Sequence, residues 1–218
     1  MLRILIADDH EVARRGIRAL LESHPGWEVC GEAKDGREAI DLAGKTKPDL
    51  ILLDIGMPNL NGLEAARQIL ASDPEAAILI LTMHDTDHVV REVLRAGARG
   101  FLLKSDAGRD LVAAVEALQR QRTFFTTRVS QMVLDGYLDR RSSDHFADDG
   151  SGEVLTMRER EVIQLLAEGK TSKEVAVTLN LSVKTAETHR TNLMRKLDLH
   201  SVADLTRYAV RNGIVQVF

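Results

Sequence analysis

One aspartate stands at a place in the sequence where a carboxylate needs a chemical reason. Asp54 follows the four aliphatic residues 50–53 and precedes Gly56-Met57-Pro58. Such an aliphatic run between turn residues predicts a buried strand of a parallel sheet, whose carboxyl end opens into the crevice where these sheets bind ligands. A carboxylate there costs free energy unless it is solvated or paired with a cation. We therefore expect Asp54 to take part in chemistry.

Polar residues also stand at the ends of other predicted strands. Asp8 and Asp9 follow the first strand, Thr82 ends the fourth, and Lys104 follows the fifth. Because the carboxyl ends of parallel strands lie along one edge of the sheet, we expect these side chains to surround Asp54.

Three carboxylates in one pocket raise one another's pKa unless a cation is present. Asp8, Asp9 and Asp54, with a backbone carbonyl such as that of Gly56, suit the hard, water-retaining ion Mg²⁺. No imidazole-rich stretch favours zinc or copper. A structural alternative is that Asp8 and Asp9 only cap the helix that begins near Glu11.

This set of residues predicts phosphoryl transfer. An aspartate can act as a nucleophile toward a phosphoryl group and form an aspartyl-phosphate. The metal would neutralise charge on the phosphoryl oxygens, and Lys104 would add a second positive charge. The Thr82 hydroxyl can donate to a phosphoryl oxygen.

In order and spacing, Asp-Asp, Asp-x-x-Met-Pro, Thr and Lys resemble the signature of a response-regulator receiver domain over residues 1–121. The resemblance implies that Asp54 is the phosphoacceptor. It implies that Asp8 and Asp9 are the acidic pair that holds the metal. The switch residues it implies are Thr82, Lys104 and Phe101. Core packing is an alternative role for Phe101.

One departure from the family concerns the residue after Lys104. The family often has a proline there, preceded by a cis peptide bond, whereas this chain has Ser105. A cis bond before any other residue costs about 2.5–4 kcal/mol. The sequence leaves both a strained cis bond and a trans bond with a different loop open.

The first half of the chain alternates strand-like runs with segments of helical period. The runs are Leu2–Ala7, Trp27–Glu32, Leu50–Ile55, Ala77–Thr82 and Arg99–Leu103. Asp35 and Asn61, each with a glutamate three residues later, predict helix N-caps. Strict alternation with short loops predicts a doubly wound, flavodoxin-like α/β domain of five βα units.

A polar segment separates this half from the rest. Residues 139–152 are rich in Gly, Ser and Asp, which predicts a flexible linker, and a short helix is expected before it over Thr126–Leu138. The predicted organisation is a receiver domain (1–121), a connector helix and linker (122–153), and a small all-α domain (154–218).

The last segment predicts four helices. Capping boxes at Thr156–Glu159 and Thr171–Glu174 begin the first two, Ser182 begins the third, and the fourth spans about Ser201–Arg211. The short turn between the second and third helices predicts a helix-turn-helix, whose later helix enters the major groove of DNA.

Three stretches of this segment resemble the LuxR-type helix-turn-helix. They are Leu155-Thr-x-Arg-Glu-x-Glu-Val, Ala167-x-Gly-Lys-Thr-Ser-Lys-Glu-Val-Ala and Ser182-Val-Lys-Thr-Ala-Glu-Thr-His189, the last followed in the same helix by Arg195-Lys-Leu197. Together with the first domain, the chain resembles a NarL/FixJ-type response regulator. The resemblance implies base-facing slots for Glu187, Thr188 and Thr191. The candidate phosphate contacts are Thr171, Lys173, Lys184, Arg190 and Lys196, and the exposed face of the third helix also carries Arg195.

Composition and charge agree with two partners for two halves. The chain is 44% hydrophobic, no apolar run approaches the roughly 20 residues of a membrane span, and the start turns acidic too early for a secretory signal, so a cytoplasmic location is expected. Residues 154–218 carry 10 Lys/Arg against 7 Asp/Glu, net +3, and residues 1–153 carry 19 against 26, net −7.

The leading hypothesis is a two-component transcriptional regulator rather than an enzyme. A sensor histidine kinase would phosphorylate Asp54, and the chain would then bind DNA as a homodimer, with RNA polymerase as a further candidate partner and no membrane. An aspartate-nucleophile phosphatase or phosphotransferase is the enzyme alternative, but it typically needs an acid two residues after the nucleophile, where this chain has Gly56. A regulator that works without phosphorylation is a third hypothesis, which the intact acidic set argues against.

Overall fold

The computed structural model describes residues 1–83, 86–126, 129–131 and 155–215. The chain forms two compact units, residues 1–131 and 132–218. Most of the predicted connector helix, from residue 132 onward, and the whole predicted linker lie outside the described residues. No helix in the described part is both long enough and apolar enough to cross a bilayer.

The first unit is a five-stranded parallel sheet in the order β2-β1-β3-β4-β5. The strands are β1 (Leu2–Ala7), β2 (Trp27–Ala33), β3 (Leu50–Asp54), β4 (Ala77–Thr82) and β5 (Gly100–Leu103). The helices are α1 (Glu11–Glu22), α2 (Gly36–Thr46), α3 (Gly62–Ser72), α4 (Asp87–Arg95) and α5 (Ala107–Gln119). The predicted doubly wound α/β fold is confirmed, and strand bounds differ from the prediction by a single residue.

Burial on both faces explains why the central strands are aliphatic throughout. Leu52, Leu81 and Leu102 pack into one cluster with residues of α1 and α5, and the alternate residues Leu53 and Ile80 are fully buried on the other face. Successive residues of a strand point to opposite faces, so a strand covered on both sides has no polar position before its end. The first polar residue of β3 is therefore Asp54.

The N-cap side chains of α1, α2 and α3 differ in whether they accept hydrogen bonds from the first turn of the helix. Asp35 accepts hydrogen bonds from the first turn of α2, and Asn61 caps α3, as predicted. The N-cap of α1 is His10, whose side chain makes no capping hydrogen bond. Asp8 Oδ1 accepts a hydrogen bond from the backbone N–H of His10 (2.8 Å), so Asp8 does hold the start of α1. Its other oxygen contacts Lys104, so capping alone does not describe Asp8.

The segment after β5 takes the trans alternative. The described residues contain no cis peptide bond, so Lys104–Ser105 is trans. Residues Lys104–Asp106 form a single 3-10 turn that runs directly into α5.

The second unit contains the four predicted helices within residues 155–215. They are α6 (Met157–Ala167), α7 (Ser172–Thr178), α8 (Val183–Lys196) and α9 (Val202–Arg211). Both predicted capping boxes are present, and Ser182 caps α8. The residues that share the buried core come from all four helices and include Ile163, Val175, Ala186, Leu193 and Leu205.

Candidate functional site

The ends of β1, β3 and β5 bring three predicted residues into direct contact. Asp54 is the last residue of β3 and only 3% exposed, and Asp8, just after β1, is fully buried. The Nζ atom of Lys104 lies 2.7 Å from Asp54 Oδ2 and 2.8 Å from Asp8 Oδ2. One ammonium group thus bridges two carboxylates at the edge of the sheet.

Burial and charge pull the ionisation of this pocket in opposite directions. Burial raises the pKa of Asp54 above its usual value, and the negative charge of Asp8 adds to this, while Lys104 and the backbone N–H of Gly56 oppose it. Burial alone would lower the pKa of Lys104, but attraction by Asp54 and Asp8 outweighs it and raises the pKa. Lys104 is therefore a permanent positive charge in the pocket.

The carboxylates fit a hard divalent cation. Asp8, Asp9, His10 and Asp54 each place one ligand atom within 4.8 Å of the others. Asp8 Oδ2 and Asp9 Oδ1 are buried, with Lys104 Nζ at 2.8 Å from the first and His10 Nδ1 at 2.7 Å from the second. Carboxylate oxygens gathered this closely are the ligands that Mg²⁺ prefers in proteins, so the donor set fits this ion.

Two residues next to the pocket, His10 and Arg14, were not predicted from the sequence. His10 Nδ1 lies 2.7 Å from Asp9 Oδ1, so an imidazole does stand beside the carboxylates. Arg14 donates from Nη1 to the backbone oxygen of Asp8 (2.7 Å) and from Nε to Glu32 Oε2 (3.0 Å), which ties the end of β1 to β2. Adjacency to Asp9 was a usable signal for His10, whereas nothing in the sequence pointed to Arg14.

Thr82 and Phe101 occupy strand positions next to the pocket. Thr82 ends β4, where its neighbour Leu81 pairs with Asp54, and its side chain is fully buried. Phe101 lies in β5 opposite Ile80 and is also fully buried. Core packing therefore describes Phe101 in this structure, and its switching role stays a prediction.

The loop after Asp54 is packed against the start of α3. The backbone N–H of Gly62 donates to the oxygen of Ile55 (3.1 Å). A Cβ atom on Gly62 would lie 2.0 Å from the backbone oxygen of Asp54, well inside contact distance. Only glycine allows this approach, which fixes the backbone of Asp54 against a helix.

The predicted DNA-reading residues form one stripe along α8. Their positions follow helical spacing, and all five are exposed: Lys184, Glu187, Thr188, Thr191 and Arg195. Ala186 and Leu193 are buried on the opposite side. The stripe is therefore the free face of a helix held by its apolar side.

The remaining predicted contacts differ in exposure. Thr171 and Lys173, at the start of α7, are exposed, and Arg190 is half-buried. Lys196, the last residue of α8, is half-buried with its Nζ atom 3.0 Å from Glu159 Oε2. An ion pair within the domain thus engages one predicted phosphate contact.

Comparison with known families assigns both units. The family model described as "Response regulator receiver domain" matches residues 4–116, more than half of the chain. The model "Bacterial regulatory proteins, luxR family" matches residues 153–209. The chain belongs to the response-regulator family. It combines a receiver domain with a LuxR-type DNA-binding domain, and this family consists of transcriptional regulators, as a rule non-enzymatic, whose receiver domains typically bind Mg²⁺ at an acidic pocket.

Relatives of this response regulator align over nearly its whole length. The transcriptional regulatory protein LiaR of Bacillus subtilis (strain 168) is 38% identical over 215 residues, which cover 99% of this chain and 100% of LiaR. The oxygen regulatory protein NreC of Staphylococcus haemolyticus (strain JCSC1435) is 36% identical over 215 residues, covering 98% and 99%. A solved structure of two RcsB dimers bound to two parallel DNAs is 28% identical, covers 97% of this chain and 98% of the other, and gives a TM-score of 0.57.

Proposed function

We propose that a sensor histidine kinase phosphorylates Asp54 and that this modification controls sequence-specific DNA binding and transcription. The observation that carries the proposal is the contact of one ammonium group, Lys104, with both Asp54 and Asp8 in a buried pocket, on a chain that also holds a LuxR-type domain. An enzyme with a separate substrate is not proposed, because Gly56 stands where such enzymes place their general acid.

The proposed reaction transfers a phosphoryl group to the carboxylate. An Asp54 oxygen attacks the phosphorus, the new O–P bond forms, and the P–N bond to the kinase histidine breaks, so that the imidazole leaves and takes up a proton. Lys104 stabilises the charge on the transferred oxygens, and the Thr82 hydroxyl donates to one of them. Asp8, Asp9 and Asp54, with the Gly56 carbonyl, would hold Mg²⁺, which supplies further positive charge there.

The second step of the proposal carries the signal away from Asp54. The Thr82 hydroxyl is drawn toward the new phosphoryl oxygens, and Phe101 moves into the space that Thr82 leaves. Thr82 ends β4 and Phe101 lies in the neighbouring strand, so the change at the pocket passes directly to β5. An ordered switch of this kind needs only a few kcal/mol of difference between its two states.

The exposed stripe of α8 is the proposed DNA-reading surface. Glu187, Thr188 and Thr191 face base edges in the major groove, and cations beside them contact phosphates. The proposed phosphate contacts are Thr171, Lys173, Lys184 and Arg190, with Arg195 on the same exposed face of α8. Lys196, the remaining candidate, pairs with Glu159 within the domain. The alignment with RcsB, whose dimers are bound to DNA in the solved structure, supports DNA binding by a homodimer. We propose that phosphorylation favours this homodimer.

The proposal extends to the organisation and setting of the chain. Residues 1–121 form the receiver domain, 122–153 connect, and 154–218 bind DNA, and the matched ranges 4–116 and 153–209 support these bounds. The proposed partners are DNA, the kinase, a second copy of the chain and RNA polymerase, in the cytoplasm.

Phosphorylation is expected to change which DNA the protein retains. Purified full-length protein is mixed with genomic fragments of the organism that encodes it, with and without acetyl phosphate and Mg²⁺, and the bound fragments are sequenced. We expect a small set of sites to be enriched only with the phosphodonor, because phosphorylation favours the dimer. Equal enrichment with and without it would show that the protein binds DNA independently of phosphorylation.

Substitutions on α8 are expected to separate affinity from specificity. Lys184→Ala should weaken binding to all sequences and lower the slope of log affinity against log salt by about one, as expected for the loss of one phosphate contact. Thr188→Ala should change the preferred base at one position of the site, by about 1–3 kcal/mol. Binding is measured on enriched and scrambled duplexes across a salt series.

The matched control for lost charge is Lys45→Ala, an exposed lysine on α2 that should leave the salt slope unchanged. If Lys184→Ala and Thr188→Ala reduce binding to enriched and scrambled DNA by the same factor, the proposed orientation of α8 on DNA is wrong.

A further inference from the structure

The first turn of α6 contacts both helices of the helix-turn-helix. Arg158 donates from Nη2 to the backbone oxygen of Leu179 (2.8 Å), which is the C-cap residue of α7 and opens the turn. The next residue, Glu159, accepts a hydrogen bond through Oε2 from Lys196 Nζ (3.0 Å) in the last turn of α8. Two consecutive side chains thus contact the two ends of the recognition helix region: Arg158 binds the turn that precedes α8, and Glu159 binds the last residue of α8.

Both side chains are themselves held in place. Arg158 Nη1 lies 2.6 Å from Oε2 of Glu161, which is only 6% exposed. Glu159 Oε2 also accepts hydrogen bonds from the backbone N–H of Thr156 (2.8 Å) and from its hydroxyl (3.1 Å), which completes the capping box of α6. The carboxylate that caps α6 is therefore the one that receives Lys196.

The capping box of α7 shows what this arrangement adds. Glu174 Oε2 accepts hydrogen bonds from the backbone N–H of Thr171 (2.8 Å) and from its hydroxyl (2.7 Å). These are the same two hydrogen bonds that Glu159 accepts from Thr156. Within residues 155–215, however, Glu174 forms no ion pair with α8. The contact of Glu159 with Lys196 is thus not a consequence of capping.

We propose that Arg158 and Glu159 are positioning residues for DNA recognition, which fix the angle of α8 from a helix outside the helix-turn-helix. Lys196 is then the brace at the end of α8 and not a contact to phosphate. The inference rests on the proposed docking of α8 and adds the residues that set its orientation.

The length of α8 explains why a contact at its end affects base reading. Its 14 residues give a rod of about 20 Å, so a tilt of about 5° moves one end relative to the other by almost 2 Å. A displacement of that size breaks hydrogen bonds to base edges but leaves a charged side chain within reach of phosphates. Loss of the brace is therefore expected to reduce specificity more than general affinity.

Three substitutions in the full-length protein test this role. Glu159→Gln removes the charge that holds Lys196 but keeps the cap, since glutamine also serves in a capping box. Lys196→Met removes the ammonium group and keeps most of the apolar stem. The control Glu174→Gln changes the net charge as Glu159→Gln does, in the matching capping box. Binding of the phosphorylated protein is measured on an enriched duplex and a scrambled duplex over a salt series.

We expect Glu159→Gln and Lys196→Met each to lower the ratio of specific to nonspecific affinity about fivefold or more. The double variant should lose no more than either single one, and Glu174→Gln should keep the ratio of the unmodified protein. The salt slope of Lys196→Met should not change. Binding to scrambled DNA reports that each variant is folded, because an unfolded domain would lose both kinds of binding.

Two results would overturn the inference. A salt slope reduced by about one in Lys196→Met, with specific and scrambled DNA affected equally, would make Lys196 a phosphate contact. If Glu159→Gln and Glu174→Gln have the same ratio of specific to nonspecific affinity, the ion pair between Glu159 and Lys196 has no role in recognition. The unmodified protein is tested separately for its preference for the enriched duplex over the scrambled one. If it shows no such preference, the proposed function is wrong, and the inference about Arg158 and Glu159 falls with it.

Discussion

Asp54→Asn should abolish the transfer of a phosphoryl group from acetyl phosphate to the full-length protein. The amide cannot attack phosphorus as the carboxylate does, and Lys104 loses one of its two anionic partners. Removal of Mg²⁺ with EDTA should have the same effect on the unmodified protein, because the three carboxylates then repel the donor. Intact-protein mass spectrometry and phosphate-affinity gels measure the product.

The control for this experiment is Asp41→Asn, an exposed aspartate on α2 whose side chain is 72% accessible. This variant should be labelled like the unmodified protein. Phosphorylation of Asp54→Asn at the normal rate would place the acceptor elsewhere and end the assignment of the pocket.

Gly62→Ala should destabilise the first unit by about 3 kcal/mol, a large effect for one methyl group. The new Cβ would lie 2.0 Å from the oxygen and 2.8 Å from the carbon of the Asp54 carbonyl, and backbone atoms of a buried strand have little room to move. Urea unfolding followed by fluorescence measures this, because the single tryptophan, Trp27, is buried in the first unit.

Gly44→Ala is the matched substitution for Gly62→Ala. Gly44 lies inside α2, and a Cβ there would meet no atom within 4 Å, so helix propensity alone acts and should stabilise the unit by about 0.5–1 kcal/mol. If Gly62→Ala has the same urea midpoint of unfolding as the unmodified protein, α3 does not pack against Asp54 as closely as described.

The sequence carried enough information to predict where the pocket forms. Aliphatic runs without a polar position identify strands buried on both faces, and parallel strands end at one edge, so the approach of Lys104 to Asp54 across 50 residues followed from topology alone. The capping boxes of α6 and α7 were equally predictable, because they depend on residues three apart.

Contacts between distant elements could not be predicted in the same way. Arg14 reaches the carbonyl of Asp8, and Lys196 reaches Glu159 from 37 residues away, through long side chains with many rotamers. Whether such a side chain turns inward to a partner or outward to DNA depends on the final packing of the helices. The pattern on α8 therefore predicted its face but not the partner of its last residue.

The bridging ammonium group leaves the pocket with an unbalanced formal charge. Three carboxylates and one lysine sum to −2, the charge that one Mg²⁺ ion neutralises. Conversion of the Asp54 carboxylate into a doubly charged acyl phosphate would add one more negative charge, so the modified pocket should hold the ion more tightly. Thermodynamic reciprocity then requires that the ion favour the modified form by the same factor. The concentration of free Mg²⁺ would thus set, together with the phosphodonor, how much of the protein is phosphorylated at equilibrium.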